Sequence, residues 1–372
     1  MAKHVLETIA GYARPVNPLY TTFAVSDPKT IPDWNQFVVS QQLGWVSHRA
    51  EWCTMLSQAF PFLQVRYVMV RHGANGPIAA ILPLFLQKTH RGQRKLISLP
   101  HTTFCDPLAA EPEAMQYLVG KLPELMKQED ACTLEIRSFL ASDQIESPAF
   151  RKSSDYIHHE IALDKTEDEL LLSFHRTSIR KEIRRTLKSP LKIREGKTVE
   201  DLQTFFNLYK DSRKRLGLPA QPWPFLRSLW LNLHPIHGIE LLLVELDGRA
   251  IGGLIVLLDR QRASAEMIAY EDETKTLSPN QLVLWSAICR AKASGRANFD
   301  FGRTPLVEHN LISVKDRWGT KTRPINHFSM PANTPKKLSQ SRIIYELTRT
   351  ILRRIPSRPY SAFSEFFYRW HC

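Results

Sequence analysis

The sequence has no glycine-rich phosphate loop, no dinucleotide fingerprint, no zinc-ligand spacing and no nucleophile elbow. Their absence argues together against P-loop kinases, ordinary dehydrogenases, metallohydrolases and serine hydrolases, because each of those chemistries needs its own backbone cradle, ligand set or strained serine turn. Cysteine is scarce: Cys53, Cys105, Cys132, Cys289 and Cys372 are odd in number and scattered. That excludes a disulfide framework, fits a reducing cytoplasm and leaves each thiol as a small core or surface side chain. No apolar run comes near the roughly 18–20 residues that span a bilayer; the longest, Ile251–Leu258 and Ile239–Val244, are strand-sized. Met1–Ala10 carries a glutamate and lacks a basic start with a long apolar stretch, so a secretory signal is not expected. An aromatic RNA-binding sheet signature is also missing.

What is present is local positive charge. The net charge is +13, yet residues 171–217 alone carry a balance of +8 and residues 314–372 one of +9, so the rest of the chain is slightly acidic. Basicity confined to two surfaces points to anionic partners rather than to general solubility. A phosphorylated cofactor, a nucleotide-linked or lipid-linked substrate, tRNA and an anionic membrane face all fit.

At 372 residues the chain exceeds one ordinary core, and two domains are expected. Residues 1–33 read as an irregular segment, with Pro15, Pro18, Pro28 and Pro32 excluding a long helix. Trp34–Phe37 and Trp45–Phe60 read as helical. Val65–Arg71 and Ile78–Gln87 flank a Gly73-Ala-Asn-Gly76 turn and read as a hairpin. A strand at Lys95–Leu99, a helix at Glu111–Gln128 and a strand at Ala131–Arg137 follow. The second half repeats the plan: helices at Val199–Leu216 and Phe225–Leu233, a hairpin around Asp247-Gly248, a strand at Ser264–Tyr270, a helix at Asn280–Ser294 stopped by Gly295, and a strand at Asn298–Phe301. Laying Ile78 on Ile251 matches Ala79-Ala80 with Gly252-Gly253, small residues that permit a close backbone approach or a bulge. The repeated order of helix, hairpin, strand, helix and strand predicts two related mixed α/β domains. Their expected bounds are residues 34–170 and 171–330, with a basic, aromatic tail at 331–372.

Three stretches carry candidate chemistry. In His175–Lys188, Arg176, Arg180, Arg184 and Lys188 recur every four residues and share a helix face opposite Ile179, Ile183 and Leu187. Glu182 is the only acid among them, so the pattern reads either as a solvated connecting helix or as an anion site. The turn Tyr270–Asn280 runs from a strand into a helix whose first N–H groups can hold an anion, or whose Ser278 or Asn280 merely caps it. Asn298-Phe-Asp-Phe-Gly302-Arg303, followed by Val314-Lys315-Asp-Arg-Trp-Gly319, reads as an aromatic strand stopping at a glycine beside fixed cations, a place to hold developing negative charge. His101 and Asp106 form a possible acid/base pair that reads more readily as structural. The tail, with Ile344, Leu347 and Ile351 on one helix side and Tyr360, Phe363, Phe366 and Phe367 beyond Pro356, suits either docking on its own domain or an anionic membrane surface.

On these residues the second half resembles the GNAT-type acyltransferase domain of FemAB-like proteins and of the CelD-type acetyltransferases of cellulose biosynthesis. The stretches that carry the resemblance are Arg176-Thr-Ser-Ile-Arg180-Lys-Glu-Ile-Arg184-Arg185, Leu277-Ser-Pro-Asn280-Gln-Leu-Val-Leu-Trp285, and Phe299–Arg303 with Lys315–Gly319; Leu82–Phe85 and Ser98–Pro100 match more loosely in the first half. The resemblance implies two tandem GNAT-like domains joined by a basic helix, and transfer of an acyl group to an amine of a cell-envelope or exopolysaccharide precursor. In the CelD-type branch the donor is an acyl-CoA such as acetyl-CoA, and this is the expected donor here; in the FemAB branch, whose frequent coiled-coil insertion is not visible in this sequence, it is an aminoacyl-tRNA and the acceptor a peptidoglycan precursor. No metal is implied. The phosphate-cradling glycine turn of ordinary members is absent before Asn280, where the chain reads Thr276-Leu-Ser-Pro-Asn280. Lys315 is the implied catalytic cation. Arg303, Tyr270, Asn280, Arg176, Arg180, Arg184 and Trp318 are the implied substrate-binding set. The protein is expected in the cytoplasm, with access to the inner membrane face. A non-catalytic binding module of an envelope-synthesis complex, docked through residues 336–372, stands as the reading from another class.

Overall fold

The computed structural model describes residues 19–89, 91–333 and 342–370. Met1–Ala10, Pro15, Pro18 and Cys372 lie outside the described residues, as do the side chains of Arg342 and Ile344. The chain divides into two units, one of residues 1–155 and 324–336, the other of residues 156–323 and 337–372. The division falls at Asp155, ahead of the expected residue 170, because the strand at 151–162 already pairs within the second unit from Tyr156 onward.

In the first unit, β1 (Tyr20–Val25), β2 (Gln64–Val65), β3 (Tyr67–His72), β4 (Ile78–Leu82), β5 (Leu84–Lys88), β6 (Arg94–Ser98), β7 (Leu108–Ala109) and β8 (Ala131–Ser138) form two groups. One has the order β1-β3-β4-β7 and the other runs β8-β6-β5-β2. Two expectations change here. Part of the supposedly irregular start is strand β1, paired along its length with β3. The single strand expected at Ile78–Gln87 is two strands in different groups, broken at Pro83, which has no N–H to give to a ladder. The Pro112–Gln128 helix buries Ala114, Leu118, Leu122 and Met126 against this core. His101 stacks on Phe60 at 4.2 Å. The Asp106 carboxylate accepts from Ser138 Oγ at 2.6 Å and from the N–H groups of Phe139, Leu140 and Ala141. Those bonds commit it to the loop after β8, so the two residues are not an acid/base pair.

In the second unit the strand order is β10 (Lys192–Gly196), β11 (Ile239–Leu246), β12 (Arg249–Leu258), β13 (Arg262–Tyr270), β14 (Asn298–Pro305) and the Tyr156–Ala162 part of β9 (Arg151–Ala162). β11 and β12 are near-continuous apolar runs because both faces are covered. On one face Leu242, Val244, Leu254 and Val256 join Val283 and Ile288 of the Pro279–Ala293 helix. On the other, Gly253 lies against Phe205 of the Val199–Leu216 helix, where an added Cβ would come within 3.0 Å of the ring. The close approach expected of the small pair is therefore real at Gly253. Asp247 and Gly248 both take positive φ, as the tight hairpin turn requires.

Thr198 and Asp201 cap the Val199–Leu216 helix reciprocally, and Gly217 ends it at φ +68°. The helices Arg342–Arg354 and Ser357–Trp370 return to that end: Tyr360 Oη donates to Leu218 O at 2.6 Å, and Arg349 Nε donates to Leu216 O at 3.2 Å. A Cβ on Gly217 would lie 2.4 Å from Arg349 O. Gly217→Ala is thus expected to lose about 1–2 kcal/mol from the left-handed backbone alone, and to expose Arg349–Arg358 to limited proteolysis. Thermal unfolding with digestion mapping checks both.

Candidate functional site

β13 and β14 run parallel, but their ladder covers only Arg262–Ser264 against Asn298–Asp300. β13 then continues to Tyr270 and β14 to Pro305 with no further rungs between them among the described residues, so a wedge opens between the strands. Two irregularities face it. In β13, Ile255 opposes Met267 and Val256 opposes Ala265, which leaves Glu266 as an extra, bulged residue. In β14, the register against β9 slips between Asp300 and Arg303, with Gly302 at φ +74°. Bulges of this kind bend a strand and re-aim side chains.

These bulges gather a set of charges. Asp300 is buried, and its Oδ2 lies 2.8 Å from Nε2 of the fully buried His158 on β9. Its Oδ1 accepts from the Gly302 N–H at 2.5 Å. Burial alone would raise the Asp300 pKa, but His158, Arg262 and the Gly302 N–H outweigh it and hold the carboxyl below its usual range. Glu266 has no such support. It keeps an edge toward solvent, yet the protein packed around it pushes its carboxyl up to about 7, Asp300 adds to the rise, and Arg303 opposes it. The Arg303 guanidinium lies over the Tyr156 ring, 4.7 Å from its centroid.

Lys315 sits near the end of a helix, His309–Asp316. Its Nζ donates to Gly302 O at 3.0 Å and to Arg303 O at 3.2 Å, the two carbonyls turned by the β14 bulge. Burial lowers its pKa to about 8, opposed by Asp300. His159, also on β9, is fully buried, with Nδ1 at 3.3 Å from Thr320 Oγ1 and no hydrogen bond at Nε2. Burial and then Lys315 lower its pKa to about 4, so its ring is neutral at neutral pH.

The other expected residues divide. Arg303 and Lys315 meet at the wedge, and Tyr270 ends β13 there, its ring covered by Arg215 at 4.9 Å. Trp318 is a core residue against Phe174 and Phe301. The basic stretch is a π-turn at Arg176–Arg180 followed by a short helix, Lys181–Thr186. Arg180 caps the carbonyls of Leu172 and Phe174, whereas Arg176 and Arg184 are exposed. Ile179 and Ile183 are buried as expected, but Leu187 is exposed.

The start of the Pro279–Ala293 helix also differs from expectation. Its first residue is proline, without an N–H, and the N–H groups of Gln281 and Leu282 both turn back to Ser278 O. Ser278 does not cap the helix; its Oγ donates to Glu182 Oε2 at 2.7 Å and accepts from Arg185. An acid of the chain itself thus stands where a ligand phosphate would need donors. Asn280 is the second helical residue, and its Oδ1 is buried without a hydrogen bond.

An open depression of about 650 Å³, lined by His175, His309, Ser313, Asp316 and Arg317 among others, lies beside the same helix as Lys315. It holds none of the buried charges at the wedge. Among the described residues there is no cluster suited to a metal ion, and no helix is long and apolar enough to cross a membrane.

The splayed sheet and its flanking helices have the GNAT-like fold, and residues 173–308 match the family model described as an acetyltransferase (GNAT) domain. The fold is shared with the crystal structure of FemX, at TM-score 0.69 and 17% identity over 88% of this chain and 100% of that one. It is also shared with L-PGS from Bacillus licheniformis, at TM-score 0.57 and 12% identity over 88% and 98%. In sequence, the chain is similar to the lipid II:glycine glycyltransferases of Staphylococcus epidermidis, 31% identical over 34% of this chain and 31% of that protein. The corresponding figures for Staphylococcus aureus are 26%, 47% and 45%. The match thus spans less than half the length of these relatives.

Proposed function

We propose that this protein transfers an acyl group from an activated ester to an amine of a cell-envelope precursor, at the wedge between β13 and β14. The observation that carries the reading is the bulged Glu266, a carboxyl pushed up to about 7 beside Arg303 and Asp300. An amine arrives as an ammonium, which has no lone pair. Glu266 as carboxylate takes that proton, the neutral nitrogen attacks the acyl carbon, and the C–N bond forms as the bond to the leaving group breaks. Glu266 gives that proton to the departing oxygen, and the second proton, shed by the nitrogen as it becomes an amide, passes to solvent. Lys315 fixes the main chain at Gly302 and Arg303, and its third N–H is available to the oxyanion. Arg303 holds an anionic group of a substrate, and Tyr270 and Asn280 border the acyl group.

Of the two donors the resemblance implies, the start of the Pro279–Ala293 helix supports the ester of an aminoacyl-tRNA over an acyl-CoA. A CoA pyrophosphate needs free N–H groups there, and Pro279, the turned-back N–H groups and Glu182 offer few. The exposed Arg176, Lys181, Arg184 and Lys188 suit a polyanion instead. The test compares thermal unfolding with charged tRNA, acetyl-CoA and longer acyl-CoAs at low and physiological salt. Charged tRNA is expected to stabilise the protein by about 2.7 kcal/mol at a hundredfold excess over Kd, an effect weakened by salt and by Arg176→Ala with Arg184→Ala. A salt-resistant shift with an acyl-CoA would replace the donor. No response and no transfer with either would favour the binding module.

A further inference from the structure

The two C-terminal helices have one side in use and one side bare. Leu352, Tyr360 and Ser364 are buried, and Ser364 Oγ accepts from the Ala220 N–H at 3.3 Å. These contacts hold the pair to its own unit, as one of the two readings of the tail required. Among the described residues the opposite sides remain uncovered. Leu347 and Ile351, one turn apart, are 59% and 51% exposed, and Phe366 is 60% exposed with Ala362 one turn before it. Arg354 follows Ile351 on the same side of the first helix, and Arg358 and Arg369 bracket Phe366 on the second; all three are exposed. Residues 342–370 contain six arginines against Glu346 and Glu365.

Apolar side chains in contact with water and ringed by arginine match the boundary of an anionic bilayer, where acyl chains receive the first and headgroups pair with the second. A protein partner with an apolar groove would not call for so one-sided a charge. We propose that the outer side of the Arg342–Arg354 and Ser357–Trp370 helices is a docking surface for an anionic lipid bilayer, with Leu347, Ile351 and Phe366 as the inserted anchors. Tyr368 of the second helix lies within electrostatic reach of Arg303. The docked surface is the outer side of a helix whose inner side is near the wedge. Its service in presenting a lipid-linked acceptor rests on the function proposed above, whereas the docking itself does not.

The experiment is partition of the full chain onto phosphatidylcholine vesicles with and without phosphatidylglycerol, followed by flotation. Binding is expected only to the anionic vesicles and should weaken as salt rises. Leu347→Glu, Ile351→Glu and Phe366→Glu together should lower the partition coefficient by about a hundredfold or more, and each of Arg354→Ala and Arg358→Ala by about fivefold. All five positions are exposed, so an unchanged melting temperature verifies the fold of each variant. Equal partition of wild type and the triple variant, or no binding to anionic vesicles, overturns the proposal. So does a wild-type dimer that the triple variant dissociates in sedimentation velocity, because a second copy would then cover the side. The partition measurement itself does not depend on acyl transfer. Lost vesicle binding with transfer to a water-soluble acceptor intact in the triple variant supports docking, while absent transfer in the wild type bears only on the function.

Discussion

Glu266→Gln is expected to slow single-turnover acyl transfer by about 10²–10⁴-fold, the range typical of losing a positioned general base. Glutamine keeps the volume and the acceptor oxygen of the bulged side chain but cannot take a proton. The pH profile separates this cause from misfolding. In the wild type the rate should rise as Glu266 loses its proton through about 7 and fall again as Lys315 loses its own through about 8. The glutamine variant should lose the acidic limb and keep the alkaline one, and Lys315→Arg should do the reverse. Stability should move the opposite way. The folded pKa of Glu266 lies above the 4.5 of the free side chain, so between about 4.5 and 7 the folded protein holds a proton the unfolded chain has released. Stability therefore falls as pH rises through that window. Glu266→Gln removes the dependence and should stabilise the protein by about 1–3 kcal/mol at pH 8, the lower end reflecting solvent at the carboxyl edge, and by little at pH 4. A variant that loses both rate and stability at pH 8 would show that Glu266 is a structural residue.

The sequence was most informative where chemistry is contiguous. Asn298–Arg303 and Lys315–Gly319 read as one cationic place because the residues lie close along the chain, and the structure brings Arg303 and Lys315 to the same bulge. Helix limits were legible where a cap is local, as at Thr198 and Gly295. Glu266 was missed because its environment is made by a neighbouring strand more than thirty residues on and by a register slip that no local pattern announces. A signal did exist: it is the only charged residue in Ala263–Tyr270, an otherwise apolar and small-residue strand. The buried partner of Asp300 lies on β9, a strand that apolar periodicity did not reveal because Arg151–Ala162 mixes charged and polar residues along its length. The helix start at Pro279 was misread for a related reason. Its nearest anion is Glu182, almost a hundred residues earlier, and only the folded chain brings it to Ser278.

Asp300→Ala should cause the largest loss of stability, about 3–5 kcal/mol at pH 7, the cost of removing one partner from a buried pair. The substitution strands the His158 ring, fully buried on β9, and frees the Gly302 N–H that keeps the β14 bulge in place. The sign with pH follows from a folded pKa below the free value of 3.8. The stabilisation is complete above that value and vanishes as pH falls through the lowered one, so wild type and variant should converge in acid. Asp300→Asn, which retains an acceptor for Gly302, should lose less. A double-mutant cycle with His158→Ala isolates the pair, and urea unfolding at pH 7 and pH 3 measures both terms. A loss under about 1 kcal/mol at pH 7 would mean that water reaches the pair. The consequence for the site runs through charge and backbone: Asp300 raises the Lys315 pKa against burial, and it holds the bulge whose Gly302 O and Arg303 O receive Lys315. In Asp300→Asn, which keeps the bulge but removes the charge that supports the Lys315 ammonium, the alkaline limb of the transfer profile should move downward, although Asp300 itself does not face the reacting carbonyl in the proposed mechanism.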